Sequence, residues 1–191
     1  YAADVSSADL LHGLTATTTG WQFSSGATPA NLNDGAHGTS HDVVGNAAIA
    51  TVAWTTVGAT AEYELGTGSN GMGYDITSIQ SIADWGGAGF GNQGYTVEVK
   101  RVAGSYVTLA TVDFQPLPLS GAGTTKVSLT GLDPSGIEFI RFTANSVNGG
   151  ANIGAFTFRE IDVLGTDTAA LGPDSTPPTV SILSPVDDIT A

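Results

Sequence analysis

Two short segments, almost a full chain length apart, carry the residue types best suited to holding a cation. The first, Asn31-Leu32-Asn33-Asp34-Gly35-Ala36-His37-Gly38-Thr39, is a polar loop rich in oxygen donors. The second, Phe158-Arg159-Glu160-Ile161-Asp162-Val163-Leu164-Gly165, reads as a strand with a carboxylate inside an apolar alternation. A hard cation such as Ca²⁺ takes about 6 to 8 oxygens from carboxylates, hydroxyls and main-chain carbonyls, and a bent glycine-containing loop presents several of these at once. Glu160 is then expected to close the shell, which requires the last strand to fold back beside the loop.

A second constellation has the chemistry of sugar recognition. Asp84-Trp85-Gly86-Gly87-Ala88-Gly89-Phe90-Gly91-Asn92-Gln93 joins two good strand patterns and sets two aromatics among residues too small to bury them. An aromatic ring takes the CH face of a sugar while amides and carboxylates satisfy its hydroxyls, so Trp85 or Phe90 with Asp84, Asn92 and Gln93 forms a candidate ligand set. The structural alternative is that Trp85 plugs one end of the core. Asn148 and Asn152, in the loop Asn145 to Asn152, are further candidates, although Asn-Gly there also serves turn chemistry. Trp21 and Phe23 stand just before the cation loop, and Trp54 lies within an apolar run that reads as core.

Other chemistries find little support. The glycine cluster from Gly86 to Gly91 is followed by no Lys-Ser or Lys-Thr, as a phosphate loop requires. The three histidines are His12, His37 and His41, and the last two have a helix-type spacing in a loop that contains Gly38, a poor zinc arrangement. The eighteen acids offer no pair in a recognisable glycosidase context, and Glu62 and Glu64 share the solvated face of one strand. No catalytic residues are predicted.

The charge balance narrows the partners. Five basic against eighteen acidic residues give a formal charge of −13, which argues against nucleic acid and anionic membrane, since both bind through clustered Lys and Arg. Neutral glycans and cations remain. With no cysteine there is no disulfide or thiolate chemistry, and no apolar run is long enough to span a bilayer. Tyr1-Ala2-Ala3-Asp4 lacks the basic and apolar regions of a signal peptide, so any targeting segment is expected to have been removed.

The apolar periodicity that must position these residues is that of strands. Alternating runs occur at Tyr95 to Val102, Thr125 to Leu129 and Glu138 to Phe142, with further candidates at Ile49 to Val57, Ala61 to Leu65, Ile76 to Ile82, Tyr106 to Asp113 and Phe156 to Val163. Only Ala8 to Leu14 has helical character, and Gly13 interrupts it. With 26 glycines, sparse charge and 41% hydrophobic residues, the chain reads as a globular, loop-rich all-β protein.

The loop pattern Leu32-x-Asp34-Gly35-x-x-x-Thr39 and the strand Arg159-Glu160-Ile161-Asp162-Val163-x-Gly165 resemble the galactose-binding-like β-sandwich superfamily, which includes discoidin or coagulation-factor C-type domains and related carbohydrate-binding modules. The resemblance runs from about Asp4 to Gly165. It implies an eight-stranded antiparallel jelly-roll β-sandwich and a Ca²⁺ cofactor. The implied shell is the main-chain carbonyls of Leu32 and Ala36, the side chain of Asp34, Thr39 through carbonyl and hydroxyl, and the carboxylate of Glu160. Ala36 replaces the Asp or Asn of many relatives, which only a carbonyl ligand tolerates.

Three parts are expected: a galactose-binding-like sandwich over 1–165, a Pro/Thr/Gly linker over 166–178, and an isolated strand over 179–191. That strand resembles the start of an Ig-like module; otherwise it is a disordered truncated end, or a donor strand for another copy. The functional expectation is a non-catalytic, calcium-stabilised carbohydrate-binding or adhesion module of a secreted or cell-surface bacterial protein, with a glycan or cell-surface polysaccharide as partner. The alternative is a structural subunit of an extracellular filament or surface layer, assembling through residues 179–191.

Overall fold

A computed structural model of the chain describes residues 8–23, 27–36, 53–86, 89–118, 120, 123–147 and 156–170, with the backbone alone for 53–56. Eight strands run through them: β1 Thr17–Phe23, β2 Ala53–Glu64, β3 Tyr74–Trp85, β4 Gln93–Arg101, β5 Tyr106–Phe114, β6 Gly123–Thr130, β7 Ile137–Ala144 and β8 Thr157–Asp167. The sole helical element among the described residues is a 3₁₀ turn, Pro29–Asn33. No helix among them is long and apolar enough to cross a membrane.

All pairings are antiparallel, and they define one curled sheet with two layers. Strands β1, β2, β7, β4 and β5 follow one another in the larger layer, and β8, β3 and β6 in the smaller. The layers join at two corners, where Ala53 and Trp54 of β2 pair with β8 and Tyr74 of β3 pairs with Ile137 of β7. Strand β2 therefore serves both layers. Its register against β1 jumps between Thr19↔Thr60 and Trp21↔Thr55, and Gly58 within the jump adopts φ +85°, a left-handed conformation that suits glycine.

Inward-facing residues of both layers form one core. Ile76, Ile79, Phe158, Ile161 and Val163 of the smaller layer meet Tyr63, Tyr95, Val97, Ile140 and Phe142 of the larger one. The Tyr95 ring lies 5.4 Å from Phe158 and 6.0 Å from Phe142. A polar bridge crosses the same interior: the Tyr95 hydroxyl is 2.7 Å from Ser81 Oγ, which donates at 2.5 Å to Gln93 Oε1. Burial raises the Tyr95 pKa, so the ring stays neutral.

Three sequence expectations change. Ile49 to Val57 and Ala61 to Leu65 do not form separate strands, because β2 runs continuously from Ala53 to Glu64. Strand β1 lay hidden because Thr17-Thr18-Thr19-Gly20 shows no apolar alternation, yet an edge strand can be largely exposed. The linker does not begin at 166: β8 continues to Asp167, and Thr168 donates its N–H to the Gly73 carbonyl at 2.9 Å. Ala8 to Leu14 forms turns, with Asp9 bridged to Leu164. The segment 179–191, most of the linker and the Trp54 side chain lie outside the described residues.

Candidate functional site

The cation loop is built by local rules. Pro29 supplies a preset φ at the start of the 3₁₀ turn, behind the extended residue Thr28. Asn31 Oδ1 accepts the Thr28 N–H at 2.9 Å, while the Asn31 N–H returns to the Thr28 carbonyl at 3.0 Å. Leu32 is fully buried, and Asn33 is nearly so. Asn33 Nδ2 donates to the carbonyls of Leu11 and Leu14, and Asn33 Oδ1 accepts the Tyr63 hydroxyl at 3.2 Å. Asp34 is exposed; its two oxygens accept Ala36 N–H at 2.9 Å and Asn31 Nδ2 at 2.7 Å. At Gly35 the chain takes φ +82°, and the Gly35 N–H donates to Glu160 Oε1 at 3.1 Å across 125 residues of sequence. The loop and the last strand do meet.

The strand side depends on a bulge. Against β3 the register passes from Ile82↔Glu160 to Ala83↔Phe158, so Arg159 is the extra residue. This phase change lets Phe158, Ile161 and Val163 all reach the core, which strict alternation forbids. Glu160 and Asp162 consequently share the other face of β8 and are buried nonetheless, at 0% and 1% exposure. Glu160 Oε2 has no hydrogen-bond partner among the described residues. Burial, followed by the charges of Asp162, Asp34 and Asp9, pushes the Glu160 carboxyl up to about 9 against the opposing hydrogen bond from Gly35. The same burial and the charges of Glu160, Asp9 and Asp162 raise Tyr63.

These residues fit a cation in one specific respect. A carboxylate oxygen buried without a partner, among three further acids, is a group whose charged form needs a positive neighbour. No three His, Cys, Asp or Glu side chains converge in metal-binding geometry among the described residues. The expected shell is not of that kind, since it draws on two carboxylates and otherwise on carbonyls and Thr39; Thr39 lies outside the described residues, as do His37 and His41.

The second constellation needs correction. Asn92 and Gln93 are fully buried, and Asp84 and Trp85 are 6% and 9% exposed. Asn92 is tied to Leu117 in both directions, donating Nδ2 to its carbonyl at 2.9 Å and accepting its N–H at 2.8 Å. Gln93 Nε2 donates to Thr125 Oγ1 at 2.9 Å, and Asp84 pairs with buried Arg159 at 3.2 Å. These amides and this carboxylate hold the loop down instead of facing a ligand. Trp85 takes the role of a plug, edge-on to Phe90 at 6.0 Å. Phe90 remains half-exposed, while its carbonyl anchors the loop by accepting Thr157 N–H at 2.9 Å. Asn148 and Asn152 lie outside the described residues.

The positioning roles of Asn33 and Tyr63 carry no distinctive signal in the sequence. Asn33 was legible only as one more polar residue of the loop. The bulge had a sequence signal: Phe156 and Phe158 fall out of phase with Ile161 and Val163.

Among solved structures, a family 32 carbohydrate-binding module from a family 31 glycoside hydrolase of Clostridium perfringens matches with a TM-score of 0.55 at 15% identity, covering 80% of this chain and 91% of that one. Another such module from C. perfringens, solved in complex with GalNAc-β-1,3-galactose, gives 0.53 at 16% identity over 79% and 94% of the two chains. A fucose-binding module from Streptococcus pneumoniae gives 0.51 at 14% identity over 82% and 94%. No family model matches the sequence, and no curated protein matches it. At such identities the likeness speaks for the fold alone: the chain has the antiparallel β-sandwich fold of these modules.

Proposed function

We propose that the chain is a non-catalytic carbohydrate-binding or adhesion module of a secreted or cell-surface bacterial protein, held closed by a bound Ca²⁺. The sugar reading is carried by the extent of the likeness, since modules covered over 94% and 92% of their own length were solved with GalNAc-β-1,3-galactose and with galactose. Phe90 is the remaining candidate ligand residue among the described residues, and Asn148 and Asn152 stay candidates on their sequence alone. The calcium reading is supported by the unpartnered buried oxygen of Glu160 beside the Gly35 turn. Glu160 and Asp34, the carbonyls of Leu32 and Ala36, and Thr39 would hold the ion. Bound there, it would supply positive charge to a buried carboxylate and stabilise the closed sandwich by mass action.

A glycan array, read with calcium and with chelator, tests the sugar reading. Saturable binding by the wild type that is lost in Phe90→Ala, with the melting temperature little changed, is the expected result. No binding to any glycan by the calcium-loaded protein would overturn it.

A further inference from the structure

The end of β8 is held by a clasp that none of the roles above uses. The β2–β3 connection, residues 65–73, folds over this end, and every polar atom of Thr168 is engaged there. Thr168 donates its N–H to the Gly73 carbonyl at 2.9 Å, and its carbonyl accepts Asn70 Nδ2 at 2.6 Å. Its hydroxyl accepts the Gly136 N–H at 3.0 Å and donates to Asp75. One residue earlier, Asp167 accepts both the N–H and the hydroxyl of Ser69. Two of the bonds to Thr168 therefore hang on the segment from Asn70 to Gly73, which has no slack. A Cβ on Gly73 would stand 2.6 Å from the Gly136 carbonyl carbon.

Asn70 is followed by Gly71, whose nitrogen has no side chain beside it to hinder approach to the Asn70 amide. Asn70, Gly71 and Met72 are all exposed. Gly71 turns at φ +78°, with nothing within 4 Å of the place a Cβ would take, so water reaches this peptide. The Met72 N–H donates to Asn70 Oδ1 at 3.0 Å, which folds the side chain back across the Gly71 peptide and draws electron density from Cγ.

We propose that Asn70 is a deamidation site and that its conversion unfastens the end of β8. The Gly71 nitrogen gives up its proton to solvent and attacks Asn70 Cγ. The Cγ–Nδ2 bond breaks, and Nδ2 takes a proton and leaves as ammonia. Water then opens the succinimide at either carbonyl, giving aspartate or, with one more atom in the main chain, isoaspartate. Water is the co-reactant throughout, and loss of the first proton makes the step faster as pH rises. Both products set a carboxylate in place of a donor opposite the Thr168 carbonyl, so that two acceptors face each other. The new charge also lies close to Asp167, whose hydrogen bonds from Ser69 hold its carboxyl below the usual carboxylate range and keep it ionised at neutral pH. Isoaspartate further lengthens the chain before Gly73, where the contact with Gly136 leaves no room. The one other Asn-Gly pair of the sequence, Asn148-Gly149, serves as an internal reference.

The test is to age the full chain in mildly alkaline buffer at body temperature, with peptide mapping and NMR amide hydrogen exchange at intervals. The peptide that contains Asn70 should convert to aspartate and isoaspartate, and exchange at the Thr168 amide should quicken about tenfold in step with it. Asn70→Asp should show the faster exchange from the start. Asn70→Gln keeps an amide but cannot close the five-membered ring, so its Thr168 exchange should not change on ageing. Asn70 left intact in the aged wild type, whether or not Asn148 has converted, would overturn the site. Converted Asn70 with Thr168 exchange unchanged would overturn the clasp.

Discussion

Arg159 and Glu160 are sequence neighbours on one strand, both fully buried and both charged types, yet their surroundings are opposite. Arg159, placed by the bulge, finds the Asp84 carboxylate at 3.2 Å and the Asp84 carbonyl at 3.4 Å. Glu160 receives one backbone N–H from Gly35 and otherwise faces Asp162, Asp34 and Asp9. The fold neutralises the first charge with its own residues, whereas without a cation the second group is neutral only because burial keeps its proton on. A buried charge with a partner is explained by architecture; a buried carboxyl oxygen without one is the observation on which the proposed cation rests.

The largest effect should come from breaking the satisfied pair. Arg159→Ala strands Asp84 in the interior, and such a loss costs about 3–5 kcal/mol; urea denaturation should show it, with Asp84→Ala similar and the double variant well short of the sum. Trp85→Ala should cost a comparable ~3–5 kcal/mol because it empties the end of the core. A Trp85→Ala protein of wild-type stability would return that ring to the ligand face.

Next comes the pH response of the unsatisfied group. In the absence of calcium the folded Glu160 keeps its proton up to about pH 9, whereas an ordinary glutamate releases it near 4.5. The folded state therefore binds more protons than the unfolded state across that window. Its contribution to stability is complete below the lower value and is lost as pH rises through the upper one. Chelator-treated protein should melt progressively lower from pH 5 to pH 9, and Glu160→Gln should flatten that slope. The smallest effect should be that of Tyr63→Phe, which removes one buried hydrogen bond to Asn33 and should cost about 1 kcal/mol in the same denaturation assay.

The parts of this comparison were unequally legible in sequence. The meeting of the Gly35 turn with Glu160 could be read, because a polar glycine-bent loop and a carboxylate in an apolar strand are local patterns. The all-β class followed from period-two alternation at β4, β6 and β7. What Asp84, Asn92 and Gln93 do could not be read, since a polar residue beside a loop looks alike whether it faces solvent or is buried with a partner. Their partners Arg159, Leu117, Ser81 and Thr125 lie 12 to 75 residues away, and only the tertiary fold brings them close. Strand β1 escaped because its pairing with β2 does not require it to be apolar.

The central claim is that Glu160 is buried for a cation. Thermal melts of the wild type in graded free Ca²⁺, in Mg²⁺ and in chelator, alongside Glu160→Gln, test it most directly. The account predicts a melting temperature that climbs with the logarithm of free Ca²⁺ above saturation, responds weakly to Mg²⁺ with its smaller and better hydrated shell, and does not move in Glu160→Gln. Superimposable wild-type melting curves in calcium and in chelator would contradict it.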